Sequence, residues 1–325
     1  MNGFELILPF LRPIEHLILD PGISEIMVNG PERIFIEKDG QLLPVPDVKL
    51  TSESLLVAVK NIARRLGDDI SEVKPILDSR LPDGSRVAAV LPPCSIHGIA
   101  LTIRKFNSHR FGMTDLIERG TLTAELAKQL QQFVIDRKNI LICGGTSSGK
   151  TTLANVLMEA IPDHERMVLI EDTAEIHIQK PNVLRFEARR EQNRLPAVTI
   201  RDLLKATLRH RPDRIIVGEI RGGEAFDLLQ LLNTGHSGTI STVHANSARQ
   251  GISRFTTCVL QSGVELPYHA IQANIAESVN VVVYLQRRPG KRFVSEVLEL
   301  DPAKHTGFDS PPGRAEGGWV QHQTI

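Results

Sequence analysis

The chain has 325 residues, 41% of them hydrophobic and 23% charged, with Lys+Arg and Asp+Glu both at 38. Such a composition excludes a disordered or fibrous chain and leaves room for two ordinary domains, while the balanced charge gives no general pull toward nucleic acid or an acidic membrane. No apolar run approaches the ~20 residues that span a bilayer, and the start Met1-Asn2-Gly3-Phe4-Glu5 has neither the basic end nor the apolar core of a signal peptide. A cytoplasmic protein is expected, with any membrane contact peripheral.

In chain order, residues 1–106 read as a smaller α+β domain. Glu25-Ile26-Met27-Val28 and Arg33-Ile34-Phe35-Ile36-Glu37 are strand-like runs separated by Asn29-Gly30-Pro31. Thr51 is placed to cap a helix carrying Leu55, Leu56, Val59, Ile62, Ala63 and Leu66, which Gly67 ends. Two further strands fall on 86–91 and 99–104. Residues 107–120 are polar and irregular and read as a linker. From 121 to 301, helical spacing alternates with short apolar runs: a helix with Leu126, Leu130, Phe133 and Val134; strands at 140–142, 167–170, 214–218 and 239–243; helices over 200–209 and 225–232. That succession predicts an α/β domain with a mostly parallel sheet. Residues 302–325 lack periodicity and read as a tail. Cys94, Cys143 and Cys258 have no metal spacing and are expected as small buried apolar residues.

The densest chemical signal is Gly144-Gly145-Thr146-Ser147-Ser148-Gly149-Lys150-Thr151-Thr152, which fits G-x-x-x-x-G-K-[ST]. It follows an apolar strand and opens a helix with Leu153, Ala154, Val156 and Leu157, the context that a phosphate-binding loop requires. Its backbone N–H groups cradle phosphates, Lys150 reaches the β- and γ-phosphates, and the Thr151 hydroxyl holds Mg²⁺. Two more strands end in acids. Glu219 closes the run Arg214-Ile215-Ile216-Val217-Gly218, where an acid can bind Mg²⁺ or orient an attacking water. Glu171 and Glu175 lie in an acidic box at 170–175. Finally, Thr234-Gly235-His236 and Val243-His244-Ala245-Asn246-Ser247 put a histidine at either end of one strand, where one can hydrogen-bond a γ-phosphate.

The order of phosphate loop, acidic box, Arg211-Pro212-Asp213-Arg214…Gly218-Glu219-Ile220-Arg221 and the histidine box resembles the secretion-ATPase superfamily. Gly222-Gly223-Glu224-Ala225 and Asn233 are similar to its type IV secretion and conjugal-transfer branch. The resemblance covers roughly 20–300. It implies a RecA-like P-loop domain behind an α+β N-terminal domain, a homohexameric ATPase using ATP and Mg²⁺, and docking to inner-membrane components of a secretion or mating-pair apparatus. It also implies His244 as the γ-phosphate sensor, Arg86 and Arg104 as N-terminal-domain arginines reaching the nucleotide, and Arg211 as a further candidate. The four-cysteine zinc element of some type II secretion motors is absent, a trait shared with pilus-retraction motors. Competing readings are a pilus motor, a nucleotide-gated scaffold, which would need no strand-end acid, and a nucleic-acid translocase. Arg185, Arg189, Arg190 and Arg194 could meet DNA, but a chain with one Trp and two Tyr offers little stacking surface; direct DNA binding is not supported.

Overall fold

Alternation of apolar and polar side chains along short strands shapes the N-terminal unit of the computed structural model, which describes residues 3–38, 40–106, 111–191, 195–300 and 319–323. Two compact units divide the chain, one within Met1–Arg110 and the other comprising Phe111–Glu191 and Leu195–Ile325. In the first, 3-10 turns lead into α1 (Glu15–Leu19), followed by β1 (Ile23–Asn29), β2 (Ile34–Lys38), β3 (Gln41–Pro44), α2 (Ser52–Arg65), β4 (Ile76–Arg80), β5 (Arg86–Val90) and β6 (Ala100–Arg104). The sheet is antiparallel in the order β3-β2-β1-β6-β5-β4. Thr51 caps α2 through a reciprocal pair with Ser54. One sheet face, with Ile26, Val28, Val87, Ala89, Leu101 and Ile103, forms a core with Leu55, Val59 and Ile62 of α2. Lys105 donates to the carbonyls of Leu17 at 2.8 Å and Asp20 at 2.6 Å, tying down the end of α1; burial lowers its pKa to about 8.

The second unit begins earlier than the sequence suggests. Residues 113–118, read as linker, form α3 (Met113–Glu118), and Leu116 is buried in this unit's core. Then come α4 (Ala124–Ile135), β7 (Ile140–Gly144), α5 (Lys150–Met158), β8 (Met167–Glu171), β9 (Val183–Glu187), α6 (Ile200–Thr207), β10 (Arg214–Ile220), α7 (Glu224–Asn233), β11 (Ile240–Val243), α8 (Ala248–Leu260), α9 (Tyr268–Ser278), β12 (Val281–Arg288), β13 (Lys291–Leu300) and β14 (Trp319–Gln323). The sheet order is β14-β13-β12-β7-β11-β10-β8-β9, parallel from β12 to β9 and antiparallel at β13 and β14. Strand β14 corrects the reading of 302–325 as tail at its far end; 302–318 and 324–325 lie outside the described residues. Both sheet faces are covered. Ile140, Ile142, Met167, Leu169 and Ile216 pack toward α4 and α5, while Leu141, Cys143, Val168, Ile170 and Val217 pack toward α7 and α8. That two-sided burial is why these strands read as unbroken apolar runs. Cys143 and Cys258 are buried as expected, whereas Cys94 is exposed.

At the edge of this sheet where the parallel strands begin, Arg214 is wholly buried. It forks onto Glu165 (Nε–Oε2 2.5 Å, Nη2–Oε1 3.1 Å) and donates to the Val134 carbonyl at 2.8 Å. Glu165→Ala would leave the guanidinium buried without its counter-charge, and we expect it to cost about 3–5 kcal/mol. The urea midpoint should fall while the m-value is kept; a change under about 1 kcal/mol would show that the pair does not hold this edge.

Candidate active site

Strand β7 ends at Gly144, where a Cβ would sit 2.5 Å from Ser148 Oγ and 2.6 Å from the Leu285 carbonyl, so no side chain fits. The loop turns through Ser147 at φ 55° and Gly149 at φ 98° before α5 starts. Left-handed residues alternating within such a turn build an anion-binding nest, here at a helix N-terminus. A Cβ on Gly145 would meet nothing within 4 Å, which leaves the loop backbone accessible, with Gly145 and Thr146 exposed. Thr151 and Thr152 are half-buried in the first turn of α5.

Lys150, the first residue of that helix, is 7% exposed rather than free on the loop. Its Nζ donates to the carbonyls of Gly144 at 3.1 Å and Gly145 at 2.9 Å, and lies 3.5 Å from His244 Nε2. Burial lowers its pKa against the opposing pull of Glu219.

The strand order sets what stands opposite. Because β11 lies between β7 and β10, the residue following β11 falls between the lysine and the strand-end acid. That residue is His244, whose Nε2 is 2.8 Å from Glu219 Oε1. Burial, then the Lys150 charge, lowers its pKa against the opposing pull of Glu219. The 2.8 Å contact is short but off the N–H direction, since Oε1 is buried with no aligned hydrogen bond. Ser148 Oγ is likewise buried without a partner. Glu219 Oε2 is held by Arg221, whose Nη1 reaches Asp172 Oδ2 at 3.2 Å. His236 precedes β11 and so lies at the other end of the strand from His244, as the sequence implies, away from Lys150 and Glu219.

A lysine in a glycine loop, facing a strand-end carboxylate with a histidine between them, supplies the phosphate-binding and water-positioning groups that nucleoside triphosphate hydrolysis uses. Comparison with known proteins agrees. The family model "Type II/IV secretion system protein" matches residues 10–300. The type IV secretion system protein VirB11 of Bartonella henselae is 32% identical over 92% of this chain and 94% of its own. The conjugal transfer protein TrbB of Rhizobium radiobacter is 34% identical over 90% of this chain and 88% of its own. The chain belongs to the type II/IV secretion system protein family. It is an ATP-hydrolysing member, placed by these relatives among the type IV secretion and conjugation ATPases. The ATPase DotB of Legionella pneumophila shares the fold, with a TM-score of 0.63 at 21% identity over 91% of this chain and 81% of that one.

Other residues that the sequence singles out for this secretion ATPase are distributed unevenly. Glu171 is 3% exposed, and its Oε1 accepts from the backbone N–H of Glu175 at 2.7 Å and Ile176 at 2.8 Å. Arg185 Nη2 lies 3.4 Å from its other oxygen, and burial raises its pKa. This carboxylate shapes the acidic turn, and Gly218 on the next strand leaves it room, since a Cβ there would be 3.0 Å from Glu171 Cγ. Glu175 is near enough for its charge to act on Lys150 and Arg221. Arg211 is exposed, left-handed at φ 51°, and precedes β10, so the fold places it at the edge of the sheet away from Lys150 and Glu219. Arg86 and Arg104 belong to the N-terminal unit, where they are cross-strand neighbours in the row Arg80–Arg86–Arg104–Glu25 on the sheet face opposite its core; Arg86 is 3.8 Å from Asp78.

In the arginine-rich segment, Arg185 also donates to the Ile176 carbonyl and Arg189 to that of Pro196. Arg194 lies outside the described residues. Sequence reasoning missed Asp172 and Arg221 as site members, although both stand inside quoted motifs. It also missed Arg292, whose Nε donates to the Ser147 carbonyl at 2.9 Å from β13. Only the return of the β12–β13 hairpin to the phosphate loop brings Arg292 there. Among the described residues no helix is long and apolar enough to cross a membrane.

Proposed function

We propose that this chain is a Mg²⁺-dependent homohexameric ATPase on the cytoplasmic side of the inner membrane, coupling hydrolysis to assembly of, or transport through, a type IV secretion or conjugative apparatus. The convergence of Lys150, His244 and Glu219 at one end of the parallel sheet carries the reading. The loop Gly144–Thr152 would bind the triphosphate, with Lys150 leaving its loop carbonyls for the β- and γ-phosphates. Glu219 Oε1 and the Thr151 hydroxyl suit a Mg²⁺ ion or its water, and a buried carboxylate oxygen without an aligned hydrogen bond supports that fit. Bound Mg²⁺ would neutralise charge developing on the phosphates. Glu219 would orient the attacking water, and His244 would donate to the γ-phosphate. Glu175 is the second carboxylate within electrostatic reach, whereas Glu171 supports the turn that carries it.

Arg86 and Arg104 would complete the site when units or subunits close on the nucleotide, gaining charge-assisted hydrogen bonds that exist only in the closed arrangement. Arg211, at the far edge of its own sheet, could serve only a neighbouring copy's site. Docking would be to inner-membrane components, with the membrane contact peripheral. We expect light scattering to report a hexamer, promoted or tightened by a non-hydrolysable ATP analogue with Mg²⁺. Arg104→Ala should lower turnover and weaken that response while nucleotide still binds the phosphate loop. A chain that stays monomeric at tens of micromolar with analogue, yet hydrolyses ATP at full rate, would contradict the ring reading.

A further inference from the structure

We infer that Arg221 is a positioning residue for Glu219, with Asp172 as its anchor: the guanidinium holds one oxygen of the strand-end carboxylate so that the other stays at the phosphate-binding loop. The inference rests on the reading of Glu219 as the acid that orients water. Its first support is the shape of the contact. Glu219 Oε2 is 2.7 Å from Arg221 Nε and 2.5 Å from Nη2, so two donors of the guanidinium converge on one carboxylate oxygen and hold that oxygen in place. The second is the anchor. Nη1 reaches Asp172 Oδ2 at 3.2 Å, and Asp172 follows β8, which lies beside β10 in the sheet; the arginine therefore spans two neighbouring strand ends. The third is that its own backbone is held. Its N–H donates to Glu224 Oε1 at 2.6 Å, and its carbonyl accepts from Arg254 Nη2 at 3.2 Å.

With Oε2 occupied in this way, Oε1 is the oxygen left beside His244. A glutamate has three rotatable side-chain bonds, and without the fork Oε1 can swing off that position; a misplacement of about 1 Å can cost up to 10²-fold in rate. The Arg221 side chain is 54% exposed, and ion pairs that open to solvent contribute little to stability. Turnover should therefore depend on Arg221 far more than folding does, which separates positioning from a merely structural ion pair.

The test compares Arg221→Ala, Arg221→Lys, Asp172→Asn and the Asp172→Asn/Arg221→Ala double variant with the unsubstituted chain and with Glu219→Gln. It measures kcat and KM for ATP, Kd for a non-hydrolysable analogue with Mg²⁺, and the thermal midpoint. Arg221→Ala should lower kcat about 10- to 100-fold with Kd within about threefold and the midpoint within about 3 °C. Arg221→Lys should recover part of the loss, because an ammonium restores charge without the fork. Asp172→Asn should lose less, and its effect should not add to that of Arg221→Ala. The inference is overturned if Arg221→Ala turns over within about twofold of the unsubstituted chain, or if its whole loss appears in Kd. Should Arg221→Ala unfold at the assay temperature, Asp172→Asn decides, since it removes the anchor and keeps the arginine; full kcat there overturns the inference. An active Glu219→Gln would instead remove the reading of Glu219 on which the inference stands, and a dead Glu219→Gln beside a normal Arg221→Ala would remove the inference alone.

Discussion

Glu219→Gln should bind ATP analogues like the unsubstituted chain and hydrolyse ATP at least on the order of 10²-fold more slowly. The amide has the size of the carboxylate and can still receive Arg221 at one atom, so the pocket keeps its shape. What it loses is the negative charge at Oε1, the buried atom 2.8 Å from His244 Nε2. An amide there binds a cation weakly and does not draw a proton from water. Glu171→Gln makes the contrast. Glu171 Oε1 already accepts two backbone N–H groups, so its substitution should first disturb the turn at 172–176 and lower the thermal midpoint. Steady-state turnover and analogue binding for Glu219→Gln, Glu171→Gln and Glu175→Gln decide among the three acids. Near-normal turnover in Glu219→Gln beside a dead Glu175→Gln would move the water-orienting role to the acidic box.

Lys150→Ala should abolish measurable turnover and, unlike Glu219→Gln, weaken nucleotide binding as well. A buried ammonium at the phosphate oxygens is worth more than one in water, and removing one such donor costs on the order of 10²–10³-fold or more. The stability effect should be small despite the burial of the side chain. Two hydrogen bonds to the carbonyls of Gly144 and Gly145 are lost, at roughly 0.5–1.5 kcal/mol each. Against that loss stands relief of the burial that lowers the lysine's pKa. Measuring ATPase rate, analogue affinity and thermal midpoint on one preparation separates the effects. Turnover like that of the unsubstituted chain would end the assignment of the phosphate loop; a collapse of the midpoint would mean that the lysine holds the loop more than it holds nucleotide.

Much of the site was legible because its chemistry is written locally. A glycine loop between an apolar strand and a helix needs only contiguous residues, and so does the helix cap at Thr51, whose hydroxyl accepts from the Ser54 N–H three residues on. The apolar runs at 140–142, 167–170 and 214–217 read as buried parallel strands because both of their faces are covered. Local reading was weaker where an element lacks its own periodicity. The α3 helix reads as linker because it is six residues long with Leu116 alone buried and Met113 and Ile117 only partly so, and β14 reads as tail because it is a strand only by pairing with β13.

The sequence by itself determined that this is a P-loop ATPase with acids and histidines at its strand ends, since motif, strand and helix are adjacent in the chain. Tertiary structure alone decided which of them meet. The order β7-β11-β10-β8 brings Lys150, His244, Glu219, Arg221 and Asp172 to one edge from separate stretches of the chain. The same order leaves Arg211 at the other edge and turns Glu171 inward to its own turn. The hairpin of β12 and β13 adds Arg292 to the phosphate loop from near the end of the described chain. Strand order is set by the burial of whole faces against α4, α5, α7 and α8, a sum over distant contacts that no single stretch of residues contains.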